Sequence, residues 1–547
     1  MIIPLLSSVE KNETDDSNIL TKMFEYFNID SSLHAVLLIM FLIFFLKAVF
    51  KFGQGMFQAF LFKNLFYKIK NILFKQIFSV RYEYFLKKNS GYYIELMNMH
   101  SQQTLTSFKR FVEYLCAFIM ALTYIIFSSF ISFQTSMIAL LIGFLSLTFF
   151  ILINRYVRKV SLQNANETTV LSQITIQSLN ALKYLISSGS KDKLSKMYDR
   201  TLRTIQNLHY KSQSALALTA SLKELISINL VILLILIEVV YFEKSISSII
   251  VVLLLYYRGL TNLIRTQRMW VTIMETIGFI KSVDNELNTL NKNISNNGIK
   301  KYEDLNSNKH FIEISNLKFK FDKSKNYLFK DFNLILNKNE ITAFVGPSGS
   351  GKTTIIDLIT GVLESNKNSI KINGVCLSEI DKQSWRKKIG FVSQDIKVFD
   401  DTVKNNITLW NDNYSLEEIT KVAKDANAYE FISKLEDGFD TRIGENGAMI
   451  SGGQKQRLFL ARELLKKPDL LILDEATSAL DTKSESYIQK RIEKLKNKMS
   501  IIIIAHRVST LKNSDIIYYI DNGKLLESGS YVELECNKNG YFSKLLE

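Results

Sequence analysis

The sequence predicts two structural classes in one chain: an all-α membrane-spanning domain, followed by an α/β domain built around a phosphate-binding loop. Apolar runs fill most of residues 31–280, whereas alternating strand and helix patterns fill residues 309–547. A glycine-rich segment, Gly346–Thr354, matches the pattern G-x-x-x-x-G-K-[ST] that joins a strand to a helix in phosphate-binding folds. Proline, which breaks helices, is absent from the apolar half and occurs only at Pro4, Pro347 and Pro468.

Charge and cysteine content exclude several classes of protein. The 547-residue chain has a formal net charge of +15, but Lys and Arg are spread along it rather than gathered on one element. This distribution argues against nucleic-acid binding. Much of the excess flanks apolar segments, as in the cytoplasmic loops of membrane proteins. The cysteines have neither disulfide nor metal-ligand spacing, and we expect free thiols in a reducing compartment at Cys116, Cys376 and Cys536.

Five apolar segments are long enough to cross a bilayer, which takes about 20 residues. They lie near residues 33–52, 111–133, 136–154, 226–242 and 246–264. Two long polar connections separate them, and the two outer connections, at 133–136 and 241–245, are short. Because residues 63–110 are basic and residues 10–30 are acidic, the long connections should face the cytoplasm and the N-terminal stretch the outside.

An odd number of spans places the two ends of the chain on opposite sides of the membrane. With the C-terminal half in the cytoplasm, Met1 would lie outside, which suggests a lost first span through a late start codon or a truncated gene. We therefore expect a transmembrane domain at residues 1–285 with five visible spans. Residues 286–308, rich in Asn, Lys and Ser, should form a linker, and residues 309–547 the α/β domain.

The phosphate-binding loop follows a predicted buried strand, Ile341–Val345. Glycines let backbone N–H groups turn inward toward phosphate oxygens, and the start of the following helix adds positive potential. Lys352 is expected to reach the β- and γ-phosphates of ATP, and the Thr353 hydroxyl to bind Mg²⁺. The other phosphate contacts are expected from the rest of the loop: Gly346, Ser348, Gly349, Ser350, Gly351 and Thr354.

A second buried-strand pattern, Leu470–Leu473, ends in the carboxylates Asp474 and Glu475. We expect Asp474 to hold Mg²⁺ through water and Glu475 to polarise the attacking water as the catalytic base. An apolar run before Asp-Glu is common by itself. Together with the phosphate-binding loop, however, it indicates hydrolysis of a nucleoside triphosphate.

Four further motifs resemble those of ATP-binding-cassette (ABC) proteins, in the order of that family. Ile450–Arg457 resembles the family signature, Ala476–Asp481 the D-loop, Ile501–His506 the switch strand and Phe391–Gln394 the Q-loop. The resemblance covers residues 309–547 and implies a specific fold class. We expect an all-α transmembrane helical domain followed by an α/β P-loop ATP-binding cassette.

The resemblance also implies roles for individual residues. Phe321 should stack on adenine where the family usually has Tyr, and Gln394 should contact Mg²⁺. His506 should contact the γ-phosphate as a catalytic residue. Ser451 and Gly453 should approach the γ-phosphate of the ATP held by an opposing subunit, and further nucleotide contacts are expected from Gly452, Gln454 and Asp481. The sequence departs from the family pattern in three places: Phe321 replaces Tyr, Ile450 replaces Leu, and Ile443–Gly447 is a variant of the loop before the signature. None of these departures removes a catalytic group. This favours a homodimer over pairing with a paralogous half-transporter.

A membrane domain fused ahead of the cassette resembles ABC exporters. Asn89–Leu96 and Ser178–Gly189 resemble the two coupling-helix regions, which makes the first visible span the second of six. The N-terminal pattern and Lys47 most resemble flippases of lipid-linked oligosaccharides. Basic groups within a membrane cavity suit a phosphate headgroup, so Lys47 and Arg258 are candidate substrate contacts. The alternative is that both side chains snorkel to the inner interface.

The expected function is ATP-driven export or flipping of an amphipathic, lipid-linked substrate across the cytoplasmic membrane, with the cassette in the cytoplasm. The partners would be a second copy, membrane lipids and the substrate. Two alternatives remain open: export of peptides or hydrophobic small molecules, and an ATP-gated channel or regulator that does not hydrolyse ATP. The intact Glu475 argues against the second.

Overall fold

The computed structural model describes residues 33–131, 133–237, 240, 246–306, 308, 310–321, 324, 326–474, 482–504 and 511–546. The chain divides into two compact units. The first comprises the residues up to Val80 together with Tyr84–Ile294, and the second comprises Arg81–Glu83 and Ser295–Glu547. The predicted N-terminal features, including the suggested loss of a first span, fall on residues 1–32, outside the described residues.

The first unit is helical, as predicted. Its described helices are α1 (Leu33–Ser79), α2 (Tyr82–Phe85), α3 (Ser90–Glu95), α4 (Ser101–Ile131), α5 (Phe133–Asn180), α6 (Leu182–Ser187), α7 (Lys191–Leu236) and α8 (Ile246–Lys292). A π-helical turn, Leu96–His100, joins α3 to α4. The long helices are uninterrupted because these segments contain no proline.

Two stretches of the described chain, Leu37–Ser79 and Ser90–Phe130, are long and apolar enough to cross a membrane. They include most of the predicted spans near 33–52 and 111–133. The other three predicted spans lie within or next to α5, α7 and α8, largely among residues whose side chains the structure leaves undescribed. The predicted outer connection at 133–136 is wrong, because α5 already begins at Phe133. Residues 133–136 contain neither glycine nor proline, the residues that most favour a loop.

Small residues allow two helices of this unit to approach each other closely. Gly278 on α8 packs against Ser161 on α5, and a Cβ added at Gly278 would lie 2.4 Å from the Ser161 carbonyl oxygen. The Ser161 hydroxyl accepts a 3.0 Å hydrogen bond from the Gly278 N–H. On the face toward α4, Thr276 Oγ1 donates to Ser107 Oγ at 3.0 Å. These contacts satisfy polar groups between closely packed helices.

The second unit is an α/β domain with two sheets. A mixed sheet has the order β10-β9-β3-β8-β7-β6, and a smaller antiparallel sheet has the order β2-β1-β4-β5. The strands are β1 (His310–Phe319), β2 (Phe329–Asn337), β3 (Ile341–Val345), β4 (Ile370–Ile372), β5 (Val375–Cys376), β6 (Ile389–Val392), β7 (Leu470–Asp474), β8 (Ser500–Ile504), β9 (Ile516–Asp521) and β10 (Lys524–Gly529).

The described helices of this unit are α9 (Lys352–Ile359), α10 (Lys382–Lys387), α11 (Val403–Thr408), α12 (Leu416–Asp425), α13 (Tyr429–Ile432), α14 (Gly452–Leu465), α15 (Thr482–Leu495), α16 (Tyr531–Cys536) and α17 (Tyr541–Leu546). The strands β3, β7 and β8 are buried along their whole length. Continuous apolar runs are typical of parallel strands covered on both faces. The strand predictions Ile341–Val345 and Leu470–Leu473 are therefore confirmed.

The segment predicted as a linker, 286–308, is partly helical. Helix α8 continues to Lys292, and a 3₁₀ turn covers Tyr302–Asp304. The helix continues because Glu286 and Leu290 are buried in the first unit, at 2% and 0% exposure. The composition of 286–308, rich in Asn and Lys, predicts a linker, but tertiary packing keeps its first residues helical.

Candidate nucleotide-binding site

Four parallel strands bring the predicted motifs to one edge of the mixed sheet. Strand β3 pairs in parallel with β8, β8 with β7, and β7 with β6. The phosphate-binding loop follows β3, Asp474 ends β7, and Gln394 follows β6. Because the carboxyl ends of parallel strands lie at the same edge, these residues converge there. Ligands of open α/β sheets bind at this edge.

Glycines in the phosphate-binding loop have backbone conformations that other residues rarely adopt. The φ angles are +145° at Gly346, +81° at Gly349 and +108° at Gly351. A Cβ at Gly346 would lie 1.9 Å from the Ile520 carbonyl oxygen, and one at Gly351 would lie 2.7 Å from Phe329 Cζ. The loop therefore requires glycine at two positions for close packing as well as for its conformation.

Lys352 opens helix α9 and folds back over the loop. Its Nζ donates to the carbonyl oxygens of Gly346 at 2.7 Å and Pro347 at 2.8 Å. The side chain is 6% exposed. Gly351 is the N-cap residue, and no side chain caps the helix. The first N–H groups of α9 and the Lys352 ammonium thus form a cationic cradle that suits phosphate oxygens.

One cavity of about 380 Å³ gathers most of the predicted site residues. Its lining residues are Phe321, Leu328, Ser348, Gly349, Gly351, Lys352, Thr353, Thr354, Gln394, Asp474 and Ile504. Phe321 is 43% exposed, and its ring packs edge-on against Phe319 with centroids 5.0 Å apart. An exposed aromatic ring at the rim suits stacking on a base. Leu328 lies in no predicted motif, and Ile504, although part of the Ile501–His506 motif, was not predicted as a site residue.

The predicted magnesium ligands Thr353, Gln394 and Asp474 all line this cavity. Hydroxyl, amide and carboxylate oxygens are ligands that Mg²⁺ accepts, and it normally takes further oxygens from phosphates and water. Among the described residues, no group of three or more His, Cys, Asp or Glu could hold a metal ion. Because three protein donors leave coordination positions for phosphate and water oxygens, this donor set fits Mg²⁺ bound together with a nucleotide.

Asp357 is a site residue that sequence reasoning missed. It lies one helical turn after Thr353, so both residues occupy the same face of α9. Burial and the charge of Asp474 raise the pKa of Asp357 to about 6. The i, i+4 spacing from Thr353 is the signal that could have identified it. A second carboxyl group near the predicted ligand Asp474 adds negative charge, which strengthens the fit to a divalent cation.

The predicted signature residues begin helix α14 and cap it. Ser451 Oγ accepts from the Gln454 N–H at 3.3 Å, and Gln454 Oε1 accepts from the Ser451 N–H at 2.8 Å. This reciprocal capping box typically stabilises a helix by about 1 kcal/mol. Gly452 is exposed and Gly453 is half-buried, and none of the four residues lines the cavity. Their predicted contacts belong to the ATP of a second subunit and stay a prediction.

Arg462 and Glu463 on α14 hold the segment that carries Gln394. Arg462 donates to the carbonyl oxygens of Asn406 at 2.6 Å and Lys397 at 2.9 Å. Glu463 accepts from the Phe391 N–H at 3.1 Å. Both side chains are 4% exposed. Sequence reasoning missed this pair, although a charged pair inside the apolar run Leu458–Leu465 is a signal of a buried polar network.

Several predicted residues fall outside the described site. Glu475, Asp481 and His506 lie outside the described residues, although β7 ends at Asp474 and β8 ends at Ile504. Lys47 and Arg258 are exposed residues of α1 and α8 in the first unit. The Lys47 Nζ lies 5.8 Å from the centroid of the Phe44 ring.

Comparison with known proteins agrees with this geometry. The family model described as "ABC transporter" matches residues 329–478, and the one described as "ABC transporter transmembrane region" matches residues 9–263. The heterocyst differentiation ATP-binding protein HepA of Nostoc sp. is 30% identical over 490 residues, which cover 89% of this chain and 80% of that protein.

Other relatives match over a smaller share of their length. The ATP-dependent lipid A-core flippase of Pasteurella multocida is 44% identical over 232 residues, or 42% of this chain and 40% of that protein. The putative multidrug export ATP-binding/permease protein YgaD of Bacillus subtilis is 42% identical over 41% of this chain and 38% of its own length.

A solved structure shows the same fold over both units. The structure of a bacterial Atm1-family ABC exporter with ATP bound superposes with a TM-score of 0.82 at 23% sequence identity. The match covers 100% of this chain and 94% of the exporter chain. At this identity the likeness speaks for the fold, whereas family membership follows from the family models and the full-length relative. The chain belongs to the ABC transporter family, as a half-transporter whose transmembrane region is fused to the cassette that hydrolyses ATP to drive transport.

Proposed function

We propose that this half-transporter works as a homodimer that flips or exports an amphipathic, lipid-linked substrate across the cytoplasmic membrane. The cassette would lie in the cytoplasm and use ATP with Mg²⁺. The observation that supports the hydrolytic part best is the cavity shared by Lys352, Thr353, Gln394 and Asp474. Phosphate-binding and metal-binding groups meet there, as ATP hydrolysis requires.

The catalytic roles follow from chain position. Lys352 would neutralise the β- and γ-phosphates, and Thr353, Gln394 and Asp474 would hold Mg²⁺. Glu475, next in the chain after Asp474, would activate the attacking water. Bound Mg²⁺ would supply charge neutralisation at the phosphates.

Dimerisation is proposed from the signature helix. Ser451 and Gly452, at the start of α14, are exposed and do not line the cavity of their own cassette. Their proposed contact is the γ-phosphate held by a second copy, with Gly453, Gln454 and Asp481 completing that half-site. The intact base and signature support two equivalent copies rather than a paralogous partner.

The cargo is proposed from two basic residues of the membrane domain. Lys47 and Arg258 are exposed side chains on α1 and α8, within segments predicted to lie in the membrane. A cation at membrane depth is costly unless it has an anionic partner or lines a cavity. The phosphate or pyrophosphate headgroup of a polyprenyl-linked substrate would provide an anionic partner for both side chains.

The test is a flipping assay with purified protein in vesicles, using a fluorescent polyprenyl-pyrophosphate saccharide as probe. ATP should drive transfer of the probe between leaflets by the unaltered protein. Lys47→Ala and Arg258→Ala should slow transfer about tenfold or more, since each removes one charge-assisted contact. The exposed residues Lys63 and Arg268, on the same helices but outside the predicted spans, provide matched controls as Lys63→Ala and Arg268→Ala.

Unchanged flipping of every polyprenyl-pyrophosphate probe by Lys47→Ala and Arg258→Ala would refute the cargo proposal. The relatives named as putative multidrug export proteins motivate a test of hydrophobic small molecules as the alternative cargo. Stimulation of ATP turnover by hydrophobic cations or peptides, without stimulation by the lipid-linked probe, would favour export of small molecules instead.

A further inference from the structure

A buried carboxylate near the end of α8 collects three donors from the connection between α1 and α4. Glu286 is 2% exposed. Its Oε1 accepts from Tyr84 Oη at 3.1 Å, and its Oε2 accepts from Tyr92 Oη at 2.8 Å and from Lys88 Nζ. All three donors lie in the segment 84–92, between 194 and 202 residues before Glu286 in the chain. We name this group of four residues the Glu286 cluster.

The Glu286 cluster is organised by its cation as well as by its hydrogen bonds. Lys88 forms an ion pair with Glu286, and its Nζ also lies 3.9 Å from the centroid of the Tyr92 ring. The Lys88 side chain is 31% exposed, whereas the carboxylate is inaccessible. Removing one member of a buried ion pair costs far more than removing an exposed one, because the other charge stays buried. The geometry of the connection is therefore strongly specified by Glu286.

Neighbouring contacts join the last turns of α8 to both ends of the same connection. Val283 packs with Leu73 of α1 and Leu96 of the π-helical turn. Beyond the cluster, Gln76 Nε2 donates to Asn291 Oδ1 at 2.7 Å. Residues 279–290 of α8 bury one face at helical spacing, at Phe279, Val283, Glu286 and Leu290.

The position of the Glu286 cluster along the chain links it mechanically to the second unit. The smaller part of the second unit, Arg81–Glu83, belongs to the connection between α1 and α4. Helix α8 ends at Lys292, and the larger part of the second unit starts at Ser295. Any displacement of the cassette pulls on α8 through this covalent connection. A flexible connection between α1 and α4 would absorb that pull. The Glu286 cluster instead ties the connection to α8, so that α1 and α4 must follow.

We propose that Glu286 is a positioning residue that transmits cassette movement to the helices α1 and α4. This inference rests on the proposed function, since it assumes that ATP drives movement of the cassette. It assigns to Glu286 no contact with nucleotide or cargo. Its loss should therefore leave nucleotide binding intact and weaken the response of the membrane helices.

Hydrogen–deuterium exchange of the full-length protein in vesicles tests the proposal, with and without MgATP and vanadate. The unaltered protein should show nucleotide-dependent exchange in cassette peptides around residues 346–359 and in a peptide of α4, residues 101–110. In Glu286→Gln, basal exchange in residues 84–96 should rise roughly tenfold or more. The cassette response should persist, and the response at 101–110 should be lost.

Two variants keep the test decisive. Asp284→Asn makes the same change of charge at an exposed position of the same helix and should behave as the unaltered protein. Tyr92→Phe removes one donor but keeps the ion pair, and should weaken the α4 response partially even if Glu286→Gln misfolds. A full nucleotide response at 101–110 in both Glu286→Gln and Tyr92→Phe would overturn the proposal. Failure of the proposed function would look different, because the cassette peptides of the unaltered protein would not respond to MgATP.

Discussion

Asp357 and Asp474 form a pair of electrostatically coupled carboxyl groups at the phosphate-binding loop. Burial of Asp357 and the charge of Asp474 raise the pKa of Asp357 to about 6. Asp474 itself is 8% exposed at the end of β7. Burial and repulsion by the Asp474 charge together make ionisation of Asp357 near neutral pH unfavourable for the folded state. A divalent ion at the predicted ligands Thr353, Gln394 and Asp474 would relieve that repulsion.

The first prediction concerns Asp357→Asn. The pKa of Asp357 is about 6 in the folded protein and 3.8 as its ordinary value, so the folded state binds the proton more tightly. Stability is therefore lost as pH rises from about 4 to about 6 and stays lower above that range. Removing the charge should stabilise the metal-free protein at pH 7 by about 1–2 kcal/mol, because solvent around the partly exposed carboxyl group screens part of the effect that raises its pKa.

Thermal unfolding in EDTA at several pH values measures this effect. The Tm difference between Asp357→Asn and the unaltered protein should be full at pH 7 and should vanish near pH 4. Saturating MgATP should also reduce it. If the Tm difference were the same at pH 4 and at pH 7, ionisation of Asp357 would not lower the stability of the folded protein, and the prediction would be wrong.

The second prediction separates two glycines of the same loop. Gly346→Ala would place a Cβ 1.9 Å from the Ile520 carbonyl oxygen, so the backbone of the loop or of β9 must move. A Cβ added at Gly349 would meet no atom of the described residues within 4 Å. The cost of alanine there comes from the φ angle of +81°, which disfavours a side chain by roughly 1–2 kcal/mol. Gly346→Ala should lower the Tm clearly more than Gly349→Ala. Equal Tm values for the two variants would contradict the packing described around Gly346.

The third prediction concerns Arg462. Its buried side chain stacks on an aromatic ring and donates hydrogen bonds to the segment that follows Gln394. Burial lowers the pKa of Arg462 to about 10, and the guanidinium lies 4.8 Å from the centroid of the Phe459 ring. Arg462→Met would leave buried carbonyl oxygens without donors, at about 1–3 kcal/mol each. We expect a large loss of Tm and slower ATP turnover.

A surface lysine provides the control for Arg462→Met. Lys467 pairs with Glu418 at 2.8 Å, but its side chain is 76% exposed. Exposed ion pairs contribute about 0–1 kcal/mol, so Lys467→Met should change the Tm little. If Arg462→Met unfolded at the same temperature as Lys467→Met, the buried network would have no structural importance.

Local patterns in the sequence sufficed for the strands and for much of the site. The apolar runs of β3 and β7 and the glycine pattern before Lys352 depend only on neighbouring residues. Glu286 and Arg462 could not be predicted in this way, because their partners Tyr92 and Asn406 lie 194 and 56 residues away. The start of the linker predicted at 286–308 could not be placed for the same reason, since burial of Glu286 extends α8 to Lys292 through a polar stretch.

ATP turnover in bilayer vesicles tests most directly the proposal that this chain drives transport by hydrolysing ATP with Glu475 as the catalytic base. The unaltered protein should hydrolyse ATP only with Mg²⁺. Glu475→Gln should reduce turnover by roughly two to four orders of magnitude, as expected for loss of a general base, while still binding ATP. Absence of turnover in the unaltered protein, or undiminished turnover in Glu475→Gln, would contradict the account.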